Sequence, residues 1–437
     1  MSDFFENFFK LKEHGTDVKT EMMAGVTTFM TMAYIIIVNP LILSDAGMPF
    51  EAVMAATVIS AALATLIMGF YANYPFALAP GMGLNAFFAY TVVLGMGLSW
   101  QAALAAVFVS GIFFIFITIT GLRTALVNAI PTSLKSAVSA GIGLFIALIG
   151  LKNAGIVISD QATLVALTDN LTEPGVLLAL IGLAITGILM ARGFKGSILI
   201  GIVITTIIGI PMGVVEIGEG FSPFSLAVSF ESFGAFIDGF PELFNFGMLN
   251  VILALTFVDL FDTIGTLVGT GARAGMLDED GNLPRADKAL MADSVGTTVG
   301  AVLGTSTVTT YVESTAGIVE GGKTGLTAVT VGVLFLASLL ISPLVLLVPS
   351  EATAPALVIV GVLMMGAIKD IDFEDFTEAF PAFMTIAMMP FTFSIAEGIA
   401  AGIIIYPVMK LVSGRGKETN TIINILAVLF VIKYLFM

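Results

Sequence analysis

The 437-residue chain contains no cysteine and a single histidine, His14. Without cysteine there is no disulfide framework and no thiolate metal site. With His14 confined to the polar N-terminal stretch, metal centres built on His or Cys clusters and any histidine-dependent triad within a membrane are excluded as well. No resident metal or cofactor is expected. Charge is scarce: 11% of residues are Asp, Glu, Lys or Arg, against about 25% in a soluble domain. No basic stripe exists, so nucleic acid is not an expected partner. Residues 1–21 lack the charged start, apolar middle and small-residue cleavage site of a signal peptide. Phe4, Phe5, Phe8 and Phe9 fall there at helical spacing, which suits a short helix on the membrane surface.

What is abundant is apolar sequence. Hydrophobic residues make up 57% of the chain and the mean hydropathy is +1.05. A transmembrane helix needs about 20 mostly apolar residues. Such runs recur at roughly 22–43, 50–72, 76–95, 100–120, 136–151, 174–191 and 196–215, then at 247–270, 289–304, 308–319, 324–348, 352–368, 381–412 and 420–436. An acidic stretch, 216–246, with Glu216, Glu219, Glu231, Asp238 and Glu242, separates the two sets and carries much of the formal charge of −15. The fold class is therefore an all-α polytopic membrane protein.

Lys and Arg orient it. Lys10, Lys12 and Lys19 precede the first span; Arg123 and Lys135, Arg192 and Lys195, and Arg273, Arg285 and Lys288 occupy later loops on the same side. Residues 44–50, 216–246 and 350–355 carry neither. The alternation predicts a cytoplasmic N-terminus. Lys410, Arg415 and Lys417 fit it only if 381–412 crosses twice, as a helix ending near Met389-Pro390 and a second from Ile395. The final segment is then an extra span or a surface helix.

The third and tenth segments are too broken for plain spans. One runs Tyr74-Pro-Phe-Ala-Leu-Ala-Pro-Gly-Met-Gly-Leu-Asn-Ala-Phe, the other Gly304-Thr-Ser-Thr-Val-Thr-Thr-Tyr-Val-Glu. Irregular backbone at membrane depth is tolerated only where protein or a wet cavity satisfies it. Interrupted segments at matching positions of two halves point to a transporter's binding site.

Acids stranded in apolar sequence mark the same places, because a carboxylate in a membrane is costly and is retained for function. Asp262, between Leu249 and Gly269, and Glu313, between Gly304 and Gly317, have no Lys or Arg within their segments. Glu313 is a candidate substrate acceptor, and Asp262 a candidate for substrate or proton. Asp259 lies three residues before Asp262 and is a candidate to tune it. Asn85 follows the Pro80-Gly81-Met82-Gly83 break and offers both a donor and an acceptor. Tyr311, Thr310 and Phe76, on the same broken segments, complete the candidate lining.

Two motif matches are set aside. Gly317-Ile-Val-Glu-Gly-Gly-Lys-Thr324 satisfies the phosphate-loop pattern, but it joins two membrane segments rather than a strand and a helix of a soluble domain. Lys323 reads better as a positive-inside anchor. Gly81-Met-Gly-Leu-Asn-Ala86 mimics a dinucleotide fingerprint without the surrounding βαβ unit.

Four stretches together resemble the AzgA-like purine permeases, a branch of the nucleobase–cation symporter-2 (nucleobase–ascorbate) superfamily. They are Ala24-Gly-Val-Thr-Thr-Phe-Met-Thr-Met-Ala-Tyr-Ile-Ile-Ile-Val-Asn-Pro40, Ala79-Pro-Gly-Met-Gly-Leu-Asn-Ala-Phe-Phe-Ala-Tyr90, Phe257-Val-Asp-Leu-Phe-Asp-Thr-Ile-Gly265 and Leu303-Gly-Thr-Ser-Thr-Val-Thr-Thr-Tyr-Val-Glu-Ser314. The resemblance spans essentially the whole chain. It implies about 14 transmembrane segments in two inverted repeats of seven, 22–215 and 247–437, joined by an extracytoplasmic loop, 216–246, and preceded by the interfacial 1–21. It implies a core domain, about 22–120 and 247–348, and a gate domain, about 136–215 and 352–437. It places substrate at Glu313, Asp262 and Asn85.

The expected function is import of a purine nucleobase with a proton by a non-enzymatic carrier in the cell membrane. Hypoxanthine or guanine is favoured over adenine; xanthine or uracil carriage and a cation channel or exchanger are the alternatives. The partners are the base, the proton and the lipid bilayer, and a homodimer is left open.

Overall fold

A computed structural model describes residues 2–120, 131–218, 221–225, 228–244, 246–278 and 283–436. Arg123 and Glu219 lie outside the described residues, as do the side chains of Phe4, Asp262 and Arg273.

Among the described residues, seven helices are long and apolar enough to cross a membrane, and several shorter apolar helices accompany them. In chain order the first seven segments are Val18–Asp45, Phe50–Ala72, Met82–Gly95, Trp100–Ile119, Thr132–Asn153, Pro174–Ala191 and Ser197–Gly209. The second seven are Phe246–Arg273, Ala286–Leu303, a tenth built of β-strand Val308–Thr310 and helix Ser314–Val319, then Gly325–Ser338, Ser350–Asp370, Phe376–Thr392 and Ile395–Val412. Residues 381–412 fall in two helices, separated at Phe393 and Ser394, with the Ser394 side chain capping the second helix at Glu397. A last apolar helix, Thr421–Phe436, follows. The N-terminal helix Ser2–Phe9 buries Phe9 against Leu326 and packs Phe8 edge-on and Phe9 at a tilt against Phe70.

The third and tenth segments meet as two extended strands within the helical body. β1 (Leu78–Pro80) pairs antiparallel with β4 (Val308–Thr310), while β2 (Val157–Asp160) and β3 (Leu164–Leu167) form a hairpin after the fifth span. The β1–β4 register sets Leu78 against Thr310 and Pro80 against Val308. Flanking bonds from Tyr311 N to Ala77 O (2.9 Å) and from Gly81 N to Thr307 O (2.9 Å) extend the ribbon. Buried hydroxyls satisfy its outer edges. Thr65 of the second span both accepts from Leu78 N (2.9 Å) and donates to Leu78 O (3.0 Å), and Thr297 of the ninth donates to Val308 O (2.9 Å). Second and ninth spans thus do the same work in each repeat. This is how non-helical backbone persists at membrane depth.

The helices pack in two groups. The second, fourth, ninth and eleventh spans pack on one another, with the second, eighth and ninth against the β1–β4 ribbon; the fifth, sixth, seventh, twelfth, thirteenth and fourteenth pack on one another. Glycines set the closest approaches: a Cβ on Gly83 would meet Ile142 of the fifth span at 2.7 Å, where the third segment faces the second group.

Candidate functional site

From each end of the β1–β4 ribbon a helix departs: Met82–Ala86, continued to Gly95 as a π-helical segment, and Ser314–Val319. Neither first turn has a side-chain cap. Gly81, Met82 and Gly83 on one side and Tyr311, Val312 and Glu313 on the other line a cavity of about 460 Å³. That size suits a small molecule. The fifth and twelfth spans close its far wall with Ile142 and Val360, and Lys135, Lys369 and Asp370 stand at its mouth.

Glu313 lines this cavity and is tied to the first span. Tyr34 donates a hydrogen bond to its Oε1 (2.8 Å), and Thr31 reaches its main-chain carbonyl (3.5 Å). Tyr34 is buried at the break between helices Val18–Met32 and Ile35–Asp45 of the first span and also lines the cavity. Nothing in the sequence pairs these two residues, and Tyr34 was not among the expected site residues. Its only local signal is an aromatic hydroxyl in an apolar run.

The other expected residues divide. Thr310 lines the cavity, and its hydroxyl has no partner among the described residues. The Tyr311 hydroxyl donates to Pro80 O (2.5 Å), which locks the ribbon and leaves its ring as cavity wall. Asn85 is fully buried one turn inside the third-segment helix. Ser306 donates to its Oδ1, and its Nδ2 has no partner among the described residues. Phe76 is not part of this lining: it stacks on Tyr74 at 5.0 Å in a separate apolar cluster with Leu78 and Leu267.

The eighth span brings Val258, Thr266 and Thr270 to the cavity. Residues four apart share a helix face, and Asp262 is four from both Val258 and Thr266, so its position falls on that stripe. Asp259 faces elsewhere. It is fully buried and accepts a bond from Thr263 (3.3 Å), whose hydroxyl also lies 2.8 Å from Asp293 Oδ1 of the ninth span. Asp293 went unnoticed in the sequence, although it is the only charge between Ala289 and Gly304. A threonine hydroxyl carries one proton. It stands here between two buried carboxyls of neighbouring spans.

The phosphate-loop match has a physical explanation. The N–H groups of Lys323 (2.9 Å), Thr324 (3.3 Å) and Thr327 (3.2 Å) all donate to the carboxylate of Glu21, as does the Thr327 hydroxyl (2.6 Å). Glu21 is fully buried. The loop does bind an anion, but that anion is a side chain of the first span, placed at the N-terminus of the eleventh where a negative charge is stabilised. Lys323 itself points outward.

A pattern for the Permease family matches residues 19–401. Over 99% of both chains, this one is 54% identical to a putative permease of Methanocaldococcus jannaschii. It is 45% identical to the adenine permease AdeP of Escherichia coli, over 99% of this chain and 96% of that one. It is equally 45% identical to the guanine/hypoxanthine permease PbuO of Bacillus subtilis, over 97% and 99%. Among solved structures, the transmembrane domain of the cyanobacterial bicarbonate transporter BicA superposes with a TM-score of 0.65 at 18% identity, covering 87% of this chain and 97% of that one. Murine Slc26a9 in its inward-facing state also gives 0.65, at 11% identity, covering 90% and 68%. These two likenesses concern the fold, two inverted repeats of seven segments.

Proposed function

Given that this chain belongs to the Permease family, within the nucleobase–ascorbate transporter superfamily, we propose that it imports a purine nucleobase together with a proton. It is a multi-pass membrane transporter and not an enzyme. The observation that carries the substrate reading is Glu313, a carboxylate in a cavity between two uncapped helix starts, with one oxygen held by Tyr34. A purine presents ring and exocyclic N–H groups on one edge, and a carboxylate accepts two such donors. Thr310 and the Tyr311 ring supply a hydroxyl and an aromatic wall. Asn85, with an unpaired amide donor one layer deeper, orients this arrangement. The names of relatives include both adenine and guanine/hypoxanthine carriers; hypoxanthine and guanine, whose lactam N–H meets an acceptor, fit Glu313 best.

Proton coupling rests on the acids. Asp262 occupies the cavity stripe of a span without a basic residue between Leu249 and Thr270, and Asp259 and Asp293 share one hydroxyl behind it. A charged carboxylate is disfavoured in such surroundings, so crossing is easiest when the acid is neutralised by a proton. The face with Lys135 and Lys369 is cytoplasmic on the positive-inside rule, so the cavity opens inward. The helix group around the ribbon acts as the core domain, and the group of the fifth to seventh and twelfth to fourteenth spans acts as the gate.

The test is uptake of labelled hypoxanthine into proteoliposomes, with adenine, guanine, xanthine and uracil as competitors. A protonophore is expected to abolish accumulation, and Asp262→Asn to retain exchange while losing accumulation. Uptake that no purine competes for would refute the substrate; undiminished accumulation with protonophore, or full accumulation by the variant, would refute the coupling.

A further inference from the structure

A second cavity, of about 440 Å³, lies at the opposite ends of the same spans, lined by Asp45, Tyr90, Leu94, Lys152, Asn153 and Phe393. Both cavities are lined by the third segment and the fifth span. On the third segment, Gly83 lines the inner cavity and Tyr90 the outer one, about 10 Å further along at the helical rise. On the fifth span, Ile142 lines the inner cavity and Lys152 and Asn153 the outer one. Tyr90 and Phe393 line the outer cavity, and Phe145, between Ile142 and Lys152 on the fifth span, backs them. Phe393 meets Tyr90 edge-on at 6.0 Å and 84°, and meets Phe145 at 5.1 Å and 77°. Phe145 is fully buried and Tyr90 is 6% exposed.

Each side of this contact is anchored within its own helix group. The Tyr90 hydroxyl donates to Asp45 (2.6 Å), at the end of the first span. Phe393 packs on Phe145 of the fifth span, and Lys152 of that span lies over its ring at 5.3 Å. The Tyr90–Phe393 contact joins the two groups at this end of the cavity, and Tyr90 also faces Asn153 of the fifth span. Phe393 also has a left-handed backbone (φ 54°, ψ 34°) at the joint between the thirteenth and fourteenth spans. A bulky residue held in that conformation is disfavoured and is characteristic of switch and clamp positions. The joint aims its ring at Tyr90.

We infer that Tyr90 and Phe393 form the outer latch of the carrier: their contact closes the extracytoplasmic route to the Glu313 cavity in this inward-open form and parts when the cavity opens outward. The inference rests on the transport reading above. Opening parts Tyr90 from Phe393 and Asn153, while Tyr90 keeps Asp45 and Phe393 keeps Phe145, so the latch recloses without reassembly.

Because the chain has no cysteine, a single introduced thiol reports without background. Ser139, which lines the inner cavity, is replaced by cysteine and intact cells are treated with a membrane-impermeant maleimide. Labelling of Ser139→Cys alone is expected to be slow, and hypoxanthine is expected to slow it further. Adding Phe393→Ala is expected to raise the rate about two- to tenfold, the factor carried by one aromatic pair. Tyr90→Leu removes the same contact from the other side and must produce the same rise, which keeps the test decisive if the first variant folds poorly. Fast labelling of Ser139→Cys alone, or no rise with either variant, overturns the latch. Hypoxanthine that protects the thiol in no variant overturns the purine reading instead, while the latch is judged from the labelling rates.

Discussion

Replacing Glu313 by glutamine isolates the charge at the centre of the site. The two side chains have nearly the same shape, and the amide oxygen can still accept the Tyr34 hydrogen bond that now measures 2.8 Å. The fold therefore keeps its contact between the first span and the tenth segment. What changes is the second oxygen, which becomes an NH₂ donor. A purine N–H that met an acceptor now meets a donor, and one charge-assisted hydrogen bond is lost. Such a bond contributes about 1.5–3 kcal/mol, which at about 1.4 kcal/mol per decade corresponds to roughly a ten- to hundredfold weaker Kd. Glu313→Ala differs, because it also leaves the buried Tyr34 hydroxyl unpaired, at a further cost of about 1–3 kcal/mol in stability. The assay is equilibrium binding of labelled hypoxanthine to detergent-purified protein, with a thermal melt of each variant beside it. Weakened binding by Glu313→Gln with an unchanged melt, and a lowered melt for Glu313→Ala only, is the expected pattern. Binding within about threefold of the parent for Glu313→Gln would remove Glu313 from the substrate site.

Three further outcomes follow from neighbouring contacts. Tyr34→Phe keeps the ring and removes the donor to Glu313, so hypoxanthine binding should weaken about tenfold while Tyr34→Leu also lowers the melting temperature; equal binding by Tyr34→Phe and the parent would deny it a positioning role. Glu21→Ala leaves three N–H groups at the start of the eleventh span without their acceptor and should destabilise the protein by about 1–3 kcal/mol, whereas Lys323→Ala should leave uptake in ATP-free vesicles unchanged; ATP-dependent uptake lost in Lys323→Ala would restore a phosphate-loop role. Where the thirteenth span begins and the fourteenth ends, hydrogen bonds from Thr377 and then Arg415 hold Asp375 down to about 2, and those from Arg415 and then Lys410 hold Glu418 down to about 2. Both lie below the usual carboxylate range, so their stabilisation is complete above about pH 4 and is lost as pH falls through about 2; melts across that window should fall more steeply for the parent than for Arg415→Gln, and parallel curves would refute the assignment.

Much of this protein was legible without a structure because its solvent is a membrane. Hydropathy alone sets out the spans, since each must cover the apolar layer with its own helical hydrogen bonds. Pro80, Gly81 and Gly83, and the threonines from Thr305 to Thr310, mark the two breaks because those residues do not sustain a lipid-facing helix. The break expected between Met389-Pro390 and Ile395 falls at Phe393 and Ser394, with Pro390 still inside the first helix. Glu313 and Asp262 stand out because a lone carboxylate in apolar sequence is conspicuous wherever it lies. The partners of these residues could not be read, because each belongs to a different, distant segment. Only the antiparallel pairing of β1 with β4 brings Thr310 opposite Leu78 and carries Glu313 to Tyr34. Only the packing of the eighth span on the ninth sets Asp259 and Asp293 around one hydroxyl, and only the docking of the first span on the eleventh fills an apparent phosphate loop with Glu21. The left-handed turn that drives Phe393 toward Tyr90 is a property of a helical joint held between two packed groups. Local sequence determines what each segment costs in lipid; tertiary packing determines which costly groups are brought together, and so where the site is.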